Sequence, residues 1–273
     1  MIVAIDGVLV PEDRAAVPIT DRGFLYGDSV FETFRTYGRR AHALDRHLAR
    51  LSRSASAIEL AIPVDTETLR REVRQVIGAA CGELRVRLMV TRGDAPGLAD
   101  DGARRVILGA PFEGHPARLY EEGVVVCTVE GERERPGAKI GSYLTSILAA
   151  RQARSRGAYE ALLVSEGQVR EGATSNFFAC IDGVLRTPKA GVLPGVTRGI
   201  VLELAAERGL EAREGPLAVD ELGAASEAFL TSATREVMPI RRVDGHDLGP
   251  PGPVTRRLAE AYRAGLADRL DRP

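Results

Sequence analysis

The sequence predicts a mixed α/β (α+β) protein built from two domains, and three observations support this class. The length of 273 residues exceeds the roughly 250 residues over which a single hydrophobic core usually grows. Runs with the two-residue period of strands alternate with apolar stripes of helical period along the chain. The stretch PFEGHPARLYEEG, residues 111–123, has neither period and contains Pro and Gly, which is typical of a connection between domains.

These observations divide the chain into three parts. We predict a smaller N-terminal α/β domain over residues 1–114, an interdomain linker over 115–122 and a larger C-terminal α/β domain over 123–273.

The N-terminal elements follow from local patterns, in chain order. Residues 2–11 are two short apolar runs joined at Asp6-Gly7, a strong hairpin signal. The segment VFETFRTY, residues 30–37, is rich in aromatic and β-branched residues and predicts a strand. Over residues 42–62, apolar residues recur at steps of three and four, which predicts an amphipathic helix.

A second helix and two strands complete the predicted N-terminal domain. Asp65-Thr66 has the residue types of a helix N-cap, and an apolar stripe follows it. The segments over residues 84–91 and 106–110 predict strands.

The C-terminal half repeats the alternation of strands and helices. Its two hairpins are predicted from extended runs that flank Glu-Gly and Asp-Gly turns. The predicted elements are a strand at 123–130, a helix at 142–156, hairpins at 161–172 and 176–188, a helix at 196–208, strands at 227–233 and 237–243, and a helix at 254–270.

Composition excludes several classes of partner. With 44% hydrophobic residues, 27% charged residues and a net charge of -1, the chain gives no electrostatic reason to expect nucleic acid or an anionic membrane. The first residues lack the pattern of a signal peptide, and no apolar run approaches the ~20 residues needed to cross a bilayer. We therefore expect a cytoplasmic protein. The three cysteines and four histidines lack metal-ligand spacing, so we predict no metal site.

Lysine is almost absent from the chain. Of the 37 basic residues, only Lys139 and Lys189 are lysine. Unlike arginine, lysine can lose its proton and attack a carbonyl to form a Schiff base. Lys189 lies in TPKAG, which reads as an exposed turn, whereas Lys139 follows a predicted strand and a Pro-Gly turn. That position indicates an amine at a sheet edge, although taken alone it also fits a surface lysine.

Three further pieces carry possible chemistry. Glu171 ends a strand before a Gly-Ala-Thr-Ser turn and is either an exposed carboxylate or a partner for a ring nitrogen. The turn GVLPG leads into a predicted helix whose first N–H groups belong to Val196 and Thr197. Such N–H groups either bind a phosphate or belong to an ordinary capped helix without a ligand. Arg50 lies beside an apolar helix stripe and is either a phosphate ligand or a solvated side chain.

Taken in order, these pieces resemble a known family. The sequence is similar to the class IV, fold-type IV enzymes that use pyridoxal 5'-phosphate (PLP): branched-chain aminotransferase, D-amino acid aminotransferase and aminodeoxychorismate lyase. The resemblance covers about residues 1–265 and rests on DRGFLYGDSVFETFR (21–35), HLARL (47–51), AKIGSYL (138–144), REGATSNFF (170–178), LPGVTR (193–198) and FLTSATREVMPI (229–240).

The resemblance implies an architecture and roles for individual residues. The fold would be the two-domain fold type IV, with a barrel-like C-terminal domain that binds PLP. Lys139 would be the catalytic Schiff-base lysine, Glu171 the partner of the pyridine nitrogen and Tyr143 that of the 3'-oxygen. The implied cofactor-binding residues are Arg50, Lys139, Tyr143, Glu171, Ser175, Asn176, Leu193, Val196, Thr197, Ser232, Ala233 and Thr234.

Two implied contacts depart from the family pattern. Many relatives have a phosphate-binding threonine where this chain has Ala233, so only backbone donation is possible there, with Ser232 and Thr234 beside it. Relatives specific for D-amino acids carry Arg-x-His after the TRG at residues 91–93, where this chain has DAPGLADDG. That carboxylate-binding pair is therefore missing, and so is the Gly-Arg-rich stretch of the lyases.

The substrate end of the site is less defined. Tyr26 and Phe31 resemble pocket-wall residues, while Arg35 and Arg87 are candidates for binding a carboxylate or else salt-bridged strand residues. The activity implied first is a ping-pong transaminase acting on an amino acid and a 2-oxo acid, of undefined stereochemistry. A transaminase that also accepts primary amines comes second and aminodeoxychorismate lyase third. A PLP-binding protein without turnover is the alternative outside enzymes. By resemblance alone, we expect a homodimer.

Overall fold

The computed structural model describes residues 1–94 and 102–272, and the chain divides into two compact units. The first comprises Met1–Glu113, Ala138–Tyr143 and Leu266–Pro273, and the second comprises Gly114–Gly137 and Leu144–Gly265. The sequence predicts one division, at residues 115–122, whereas two later segments of the chain also belong to the first unit. Sequence patterns do not reveal this arrangement, because it depends on hydrogen bonds between distant residues.

Backbone hydrogen bonds hold both later segments in the first unit. The Phe31 N–H donates to the Lys139 carbonyl at 3.0 Å. The Asp271 N–H donates to the Ala41 carbonyl at 2.8 Å. The Asp271 carboxylate also accepts hydrogen bonds at 2.7 Å from the guanidinium groups of Arg70 and Arg74.

The first unit contains a six-stranded antiparallel sheet among its described residues, in the order β2-β1-β6-β5-β3-β4. The strands are β1 Ile2–Ile5, β2 Val8–Val10, β3 Ser29–Tyr37, β4 Arg40–Ala41, β5 Leu84–Thr91 and β6 Arg104–Pro111. The helices are α1 Arg22–Tyr26, α2 Leu44–Ala57 and α3 Thr66–Gly78.

Strand β3 positions side chains on both faces of this sheet. Glu32 and Phe34 are fully buried and contact His47 of α2, so this face is directed at the helix. Because side chains alternate along a strand, Phe31 and Arg35 point to the opposite face. The helix face that α2 presents to the sheet carries the buried Leu44, Leu48 and Leu51 as well as polar groups, as its amphipathic pattern predicts. The helix is shorter than the predicted 42–62, because it ends at Ala57 and the chain turns with a positive φ of 54° at Glu59.

The second unit is larger and is built around one curled sheet. Its helices are α4 Arg118–Glu122, α5 Leu144–Ser155, α6 Val196–Glu207 and α7 Pro253–Ala264. Its strands are β7 Val124–Glu130, β8 Glu160–Ser165, β9 Gln168–Gly172, β10 Asn176–Ile181, β11 Val184–Thr187, β12 Ala212–Glu214, β13 Ala225–Ser232, β14 Glu236–Val243 and β15 His246–Asp247. Their order is β12-β11-β10-β13-β14-β7-β8-β9, and β15 pairs with β14.

The sheet of the second unit closes partway into a barrel. Strands β9 and β10 are far apart in the sheet order, yet Asn176 of β10 donates a hydrogen bond to Glu171 of β9 at 3.1 Å. The sheet must therefore curl until these strands approach each other. Its inner core includes Phe177, Leu230 and Met238, which are fully buried. The predicted fold class, including a barrel-like second part, is confirmed.

The predicted hairpins are confirmed, and their turns show why the sequence predicted them. Asp6-Gly7, Glu166-Gly167 and Asp182-Gly183 each have positive φ at both residues, with values of 50° and 83°, 53° and 69°, and 50° and 77°. Two consecutive residues of positive φ form the type I' turn, which matches the twist of antiparallel strands and favours glycine.

Three short or terminal helices differ from the prediction. Helix α4 lies inside the segment predicted as a linker, and α1 lies between the predicted hairpin at 2–11 and the predicted strand at 30–37. The predicted helix at 254–270 ends at Ala264, because the chain leaves it at Gly265 and rejoins the first unit. None of the described helices has the length and apolar character required to cross a bilayer.

Candidate active site

Lys139 is fixed by its backbone in the first unit. Its N–H donates to the Ser54 hydroxyl oxygen at 3.0 Å, and its carbonyl accepts the Phe31 N–H at 3.0 Å. The Lys139 Nζ lies 4.4 Å from the centroid of the Phe31 ring. Two backbone hydrogen bonds and one aromatic contact therefore define the position of this side chain from its backbone to its amine.

Three of the predicted site residues contact the Phe31 ring, namely Lys139, Arg87 and Tyr143. The Arg87 guanidinium carbon lies 3.8 Å from the ring centroid. The Tyr143 ring meets the Phe31 ring edge-on, with centroids 5.7 Å apart and planes at 78°. Burial lowers the pKa of Arg87, although a guanidinium remains protonated at neutral pH. Among the residues that the structure describes, no carboxylate pairs with Arg87, so its charge suits an external anion.

Arg50 is buried against Glu32. Its Nε donates to Glu32 Oε1 at 2.8 Å and its Nη2 to Oε2 at 2.7 Å, which is the bidentate geometry of a guanidinium and a carboxylate. His47 Nδ1 lies 2.7 Å from the same Oε2. Burial alone would raise the pKa of Glu32, but Arg50 and then His47 outweigh burial and lower it to about 2.

Helix α2 supplies this arrangement through its spacing. His47, Arg50 and Ser54 are three and four residues apart, so they lie on one helix face, and all three are buried. Burial lowers the pKa of His47, which keeps its ring neutral and makes its Nδ1–H the donor to Glu32. One helix face therefore fixes both Arg50 and the Lys139 backbone.

The other predicted substrate residues make different contacts. The Tyr26 side chain is largely exposed on α1 and has the Arg22 guanidinium 5.4 Å from its ring centroid. The Arg35 guanidinium stacks on the rings of Tyr37 and Phe112, at 4.2 Å and 4.9 Å from their centroids. The segment after TRG that lacks the Arg-x-His pair, residues 94–102, lies mostly outside the described residues.

Glu171 is buried in the second unit, with hydrogen bonds to both carboxylate oxygens. Oε2 accepts from Asn176 Nδ2 at 3.1 Å and from the Leu193 N–H at 3.0 Å. Oε1 accepts from Arg133 Nε at 2.7 Å. Of the two readings left open by the sequence, the exposed hairpin carboxylate is therefore wrong, because only 4% of Glu171 is exposed.

The start of α6 provides backbone donors close to Asn176. Gly195 is the N-cap of α6 and has no side chain to bond the first N–H groups, which belong to the buried Val196 and Thr197. A Cβ at Gly195 would overlap Asn176 Oδ1, so the chain approaches this helix start too closely for any other residue. An uncapped helix start with donor N–H groups is suited to bind phosphate.

The turn after β13 brings further hydroxyl groups. Ser232 Oγ accepts the Arg235 N–H at 3.3 Å, across the turn that contains Ala233 and Thr234. Thr231 pairs in register with Asn176, and its buried hydroxyl has no hydrogen-bond partner among the described residues. Leaving a buried hydroxyl unpaired costs about 1–3 kcal/mol, so this group is suited to a ligand.

An ion pair fixes the loop that follows Glu171. Glu160 Oε2 pairs with Arg235 Nη2 at 2.7 Å, and Glu160 Oε1 accepts from the Thr174 N–H at 2.6 Å and from the Ser175 hydroxyl at 3.3 Å. Arg235 Nη1 also donates to the Thr174 hydroxyl at 2.8 Å. Ser175 is therefore held by Glu160 and lies in a loop of fixed conformation.

Each unit, taken by itself, carries groups that fit the chemistry of PLP. The first unit offers a lysine amine with a fixed backbone, and the second offers a buried carboxylate, an uncapped helix start and an orphaned hydroxyl. The sequence did not identify Glu32, Arg133, Glu160 or Thr231. The spacing of these residues along the chain gives no signal, because each side chain is recognised only from its partner in space.

Comparison with known proteins identifies what the chain is similar to. The family model described as "Amino-transferase class IV" matches residues 29–243. A D-alanine aminotransferase from Bacillus licheniformis is 33% identical and aligns over 97% of each chain. The solved branched-chain aminotransferase from Thermoproteus uzoniensis with norvaline has 34% identity and a TM-score of 0.90, covering 98% of this chain and 95% of its own. The solved branched-chain amino acid aminotransferase from Escherichia coli has 28% identity and a TM-score of 0.90, covering 99% and 98%.

Proposed function

Because the chain belongs to the class IV aminotransferases, which are PLP-dependent enzymes of fold type IV, we propose that it transfers an amino group between an amino acid and a 2-oxo acid by a ping-pong mechanism. Lys139 is the lysine that forms the Schiff base with PLP. The observation that carries this proposal is the Lys139 backbone, bonded at its N–H to Ser54 and at its carbonyl to Phe31. These bonds fix the point from which the amine reaches its target.

The proposed roles separate acid-base chemistry from binding. Bound PLP supplies an electron-withdrawing ring that stabilises negative charge on the reacting carbon. Lys139 Nζ would be the acid-base group that takes up and returns the proton of the substrate's α carbon. Glu171 holds the proton on the pyridine nitrogen, and its burial strengthens that interaction because water does not screen it. Tyr143 binds the 3'-oxygen.

The phosphate is assigned to Arg50 and the start of α6. Arg50 donates a charge-assisted hydrogen bond while Glu32 holds its side chain with two of the five guanidinium N–H donors. The N–H groups of Val196 and Thr197 and the Thr197 hydroxyl complete the set. Ser175, Asn176, Leu193 and the turn Ser232-Ala233-Thr234 contribute by shaping the surrounding loops.

We assign the substrate carboxylate to Arg87 and the apolar side chain of the substrate to the wall formed by Phe31 and Tyr26. Arg87 supports this assignment, because it stacks on the same Phe31 ring that contacts the Lys139 amine. Arg35 is the alternative carboxylate ligand, although its guanidinium stacks on Tyr37 and Phe112. The relatives comprise both D-alanine and branched-chain aminotransferases, so the donor panel below includes both stereoisomers.

A spectroscopic half-reaction tests the proposal. The purified protein is loaded with PLP and mixed with L-amino acids, D-amino acids and primary amines in turn, without an acceptor. We expect the visible absorbance of the bound cofactor to decrease with some amino acids and to return when a 2-oxo acid is added. Aminodeoxychorismate is included as a lyase substrate. Pyruvate release from it without acceptor, or an unchanged spectrum with every donor, would contradict transamination.

We also propose a cytoplasmic homodimer. Exposed apolar side chains cluster on one segment of the first unit, and they support burial against a second copy. They are Val17, Ile19, Phe24 and Leu25. Sedimentation equilibrium of the unmodified chain and of Phe24→Ser would measure the mass. A monomer for the unmodified chain contradicts the homodimer, and recovery outside the cytoplasmic fraction contradicts the location.

A further inference from the structure

Arg133 makes a charged contact with the Glu171 carboxylate. Its Nε donates to Glu171 Oε1 at 2.7 Å, and its Nη2 also pairs with that oxygen. Only 15% of the Arg133 side chain and 5% of the Glu171 side chain are exposed. Because water screens such a pair weakly, the guanidinium acts on this carboxylate as a nearby fixed positive charge.

The second oxygen of Glu171 is held by different donors. Oε2 accepts hydrogen bonds from Asn176 Nδ2 and from the Leu193 N–H, at 3.1 Å and 3.0 Å. Both donors are neutral. These two donors orient the carboxylate without the guanidinium. The positive charge of the guanidinium is therefore an electrostatic effect on the carboxylate that is separate from its orientation.

Arg133 also bonds the turn that precedes Lys139 in the sequence. Its Nη2 donates to the Pro136 carbonyl at 2.7 Å. Pro136 begins the Pro-Gly turn that ends two residues before Lys139. One guanidinium thus bonds both the Glu171 carboxylate and the backbone of this turn.

Neighbouring charged side chains are directed to other partners. On β9, Arg170 lies next to Glu171 in sequence but points to the other face, where it is 3.8 Å from Glu166. On β8, Glu160 is paired with Arg235. The Arg133 guanidinium is therefore the charged group whose replacement we expect to change the electrostatic environment of the Glu171 carboxylate.

We propose that Arg133 is a positioning residue that keeps Glu171 ionised and weakens the hold of this carboxylate on the proton of the cofactor's pyridine nitrogen. This inference rests on the proposed role of Glu171. The guanidinium and a protonated pyridine nitrogen are both cations that share one carboxylate, and like charges disfavour each other. The position thus adjusts how strongly the ring withdraws electrons.

The protonation of the cofactor nitrogen measures this effect directly. The protein is loaded with PLP that carries ¹⁵N in the ring, and the ¹⁵N chemical shift is followed against pH. We expect Arg133→Met to raise the pH at which the nitrogen loses its proton by about one unit, the size typical of removing one nearby charge. Arg133→Gln, which keeps a donor for the Pro136 carbonyl but no charge, should give the same shift.

Arg133→Lys is the matched control, because it keeps the positive charge but has one nitrogen where arginine places two on Glu171 Oε1. Its titration should stay close to that of the unmodified chain. A titration that is unchanged in both uncharged variants while PLP remains bound would overturn the inference. Equal shifts in the lysine and methionine variants would also overturn it, since charge would then not be the cause.

Glu171→Gln separates this inference from the proposed function. It should lower the pH at which the nitrogen loses its proton, opposite to the Arg133 variants. If Glu171→Gln leaves the nitrogen titration unchanged, the role of Glu171 itself is wrong. If Glu171→Gln lowers the pH at which the nitrogen loses its proton, but the uncharged Arg133 variants do not raise that pH, only the inference about Arg133 fails.

Discussion

The Lys139 amine lies against the face of the Phe31 ring, 4.4 Å from its centroid. An ammonium at this distance interacts favourably with the electron-rich face of the ring. Phe31→Leu keeps an apolar side chain but removes that face, and we expect kcat/KM to fall about tenfold, equivalent to about 1.4 kcal/mol. Phe34→Leu, on the buried opposite face of β3, should lower thermal stability and leave the kcat/KM of the folded protein unchanged. Equal losses of kcat/KM in both variants would contradict the role of Phe31.

The chain's two lysines form a natural pair of variants. Lys139→Ala should abolish the visible absorbance of the cofactor and reduce transamination to background, because the other lysine of the sequence, Lys189, is exposed in the second unit. Lys189→Ala removes an exposed lysine and should change neither measurement. Transamination by Lys139→Ala several-fold above background would show that the Schiff-base lysine is wrongly assigned.

Arg87 should distinguish substrates that have a carboxylate from those that lack one. Arg87→Met is expected to raise KM for amino acids by roughly 10- to 100-fold, because a charge-assisted hydrogen bond is worth about 1.5–3 kcal/mol. KM for a primary amine, if one is accepted, should change little. Arg85→Met, an exposed arginine two residues earlier on β5, is the control. A rise in KM from Arg85→Met but not from Arg87→Met would reverse the assignment.

Gly195 tests the helix start as a phosphate site. Gly195→Ala places a Cβ into Asn176 Oδ1, so the loop must shift, and we expect at least tenfold weaker PLP binding in equilibrium dialysis. Gly199→Ala, in the same helix with open space around it, should bind PLP normally and gain about 1 kcal/mol of stability from helix propensity. Unchanged PLP binding by Gly195→Ala would contradict the proposed phosphate site.

Glu32 should govern stability in acid. Its pKa falls from 4.5 to about 2 on folding, so its contribution is complete above pH 4.5 and is lost as pH decreases through about 2. The shift corresponds to about 3 kcal/mol of unfolding free energy. In urea unfolding, the free energy of Glu32→Gln should not show this decrease between pH 4.5 and 2. The variant should also be less stable at pH 7, because the Arg50 charge stays buried without its carboxylate partner. Parallel pH profiles for the two proteins would contradict this prediction.

The local features of this fold are predictable from the sequence, and the long-range ones are not. Asp6-Gly7 and Asp182-Gly183 predict their hairpins, because the turn requires residues that adopt positive φ. Asp65 predicts the start of α3, because its side chain is of the type that caps a helix, and it accepts the Thr68 N–H at 2.7 Å. Helix α4, by contrast, has five residues and is stabilised by the hydroxyl of Tyr120, which bonds the distant Arg235 carbonyl at 3.1 Å. A short helix of this kind leaves no periodic signal.

The candidate site shows the same division. The sequence singled out Lys139, Glu171 and Arg50 from their residue types and motifs. Their immediate partners Ser54, Arg133 and Glu32 are separated from them by 85, 38 and 18 residues, respectively. Such pairs depend on register and burial, which a single sequence does not encode in a readable pattern.

The first unit is assembled from three separate stretches of chain, and this has a consequence for its synthesis on the ribosome. The residues that surround Lys139 and the carboxylate of Asp271 are translated after most of the unit. All segments of the second unit, however, have been translated by Gly265. The N-terminal unit, although begun first, is therefore the last to be completed, and nascent chains that end before Asp271 would present Arg70 and Arg74 without the carboxylate that joins them.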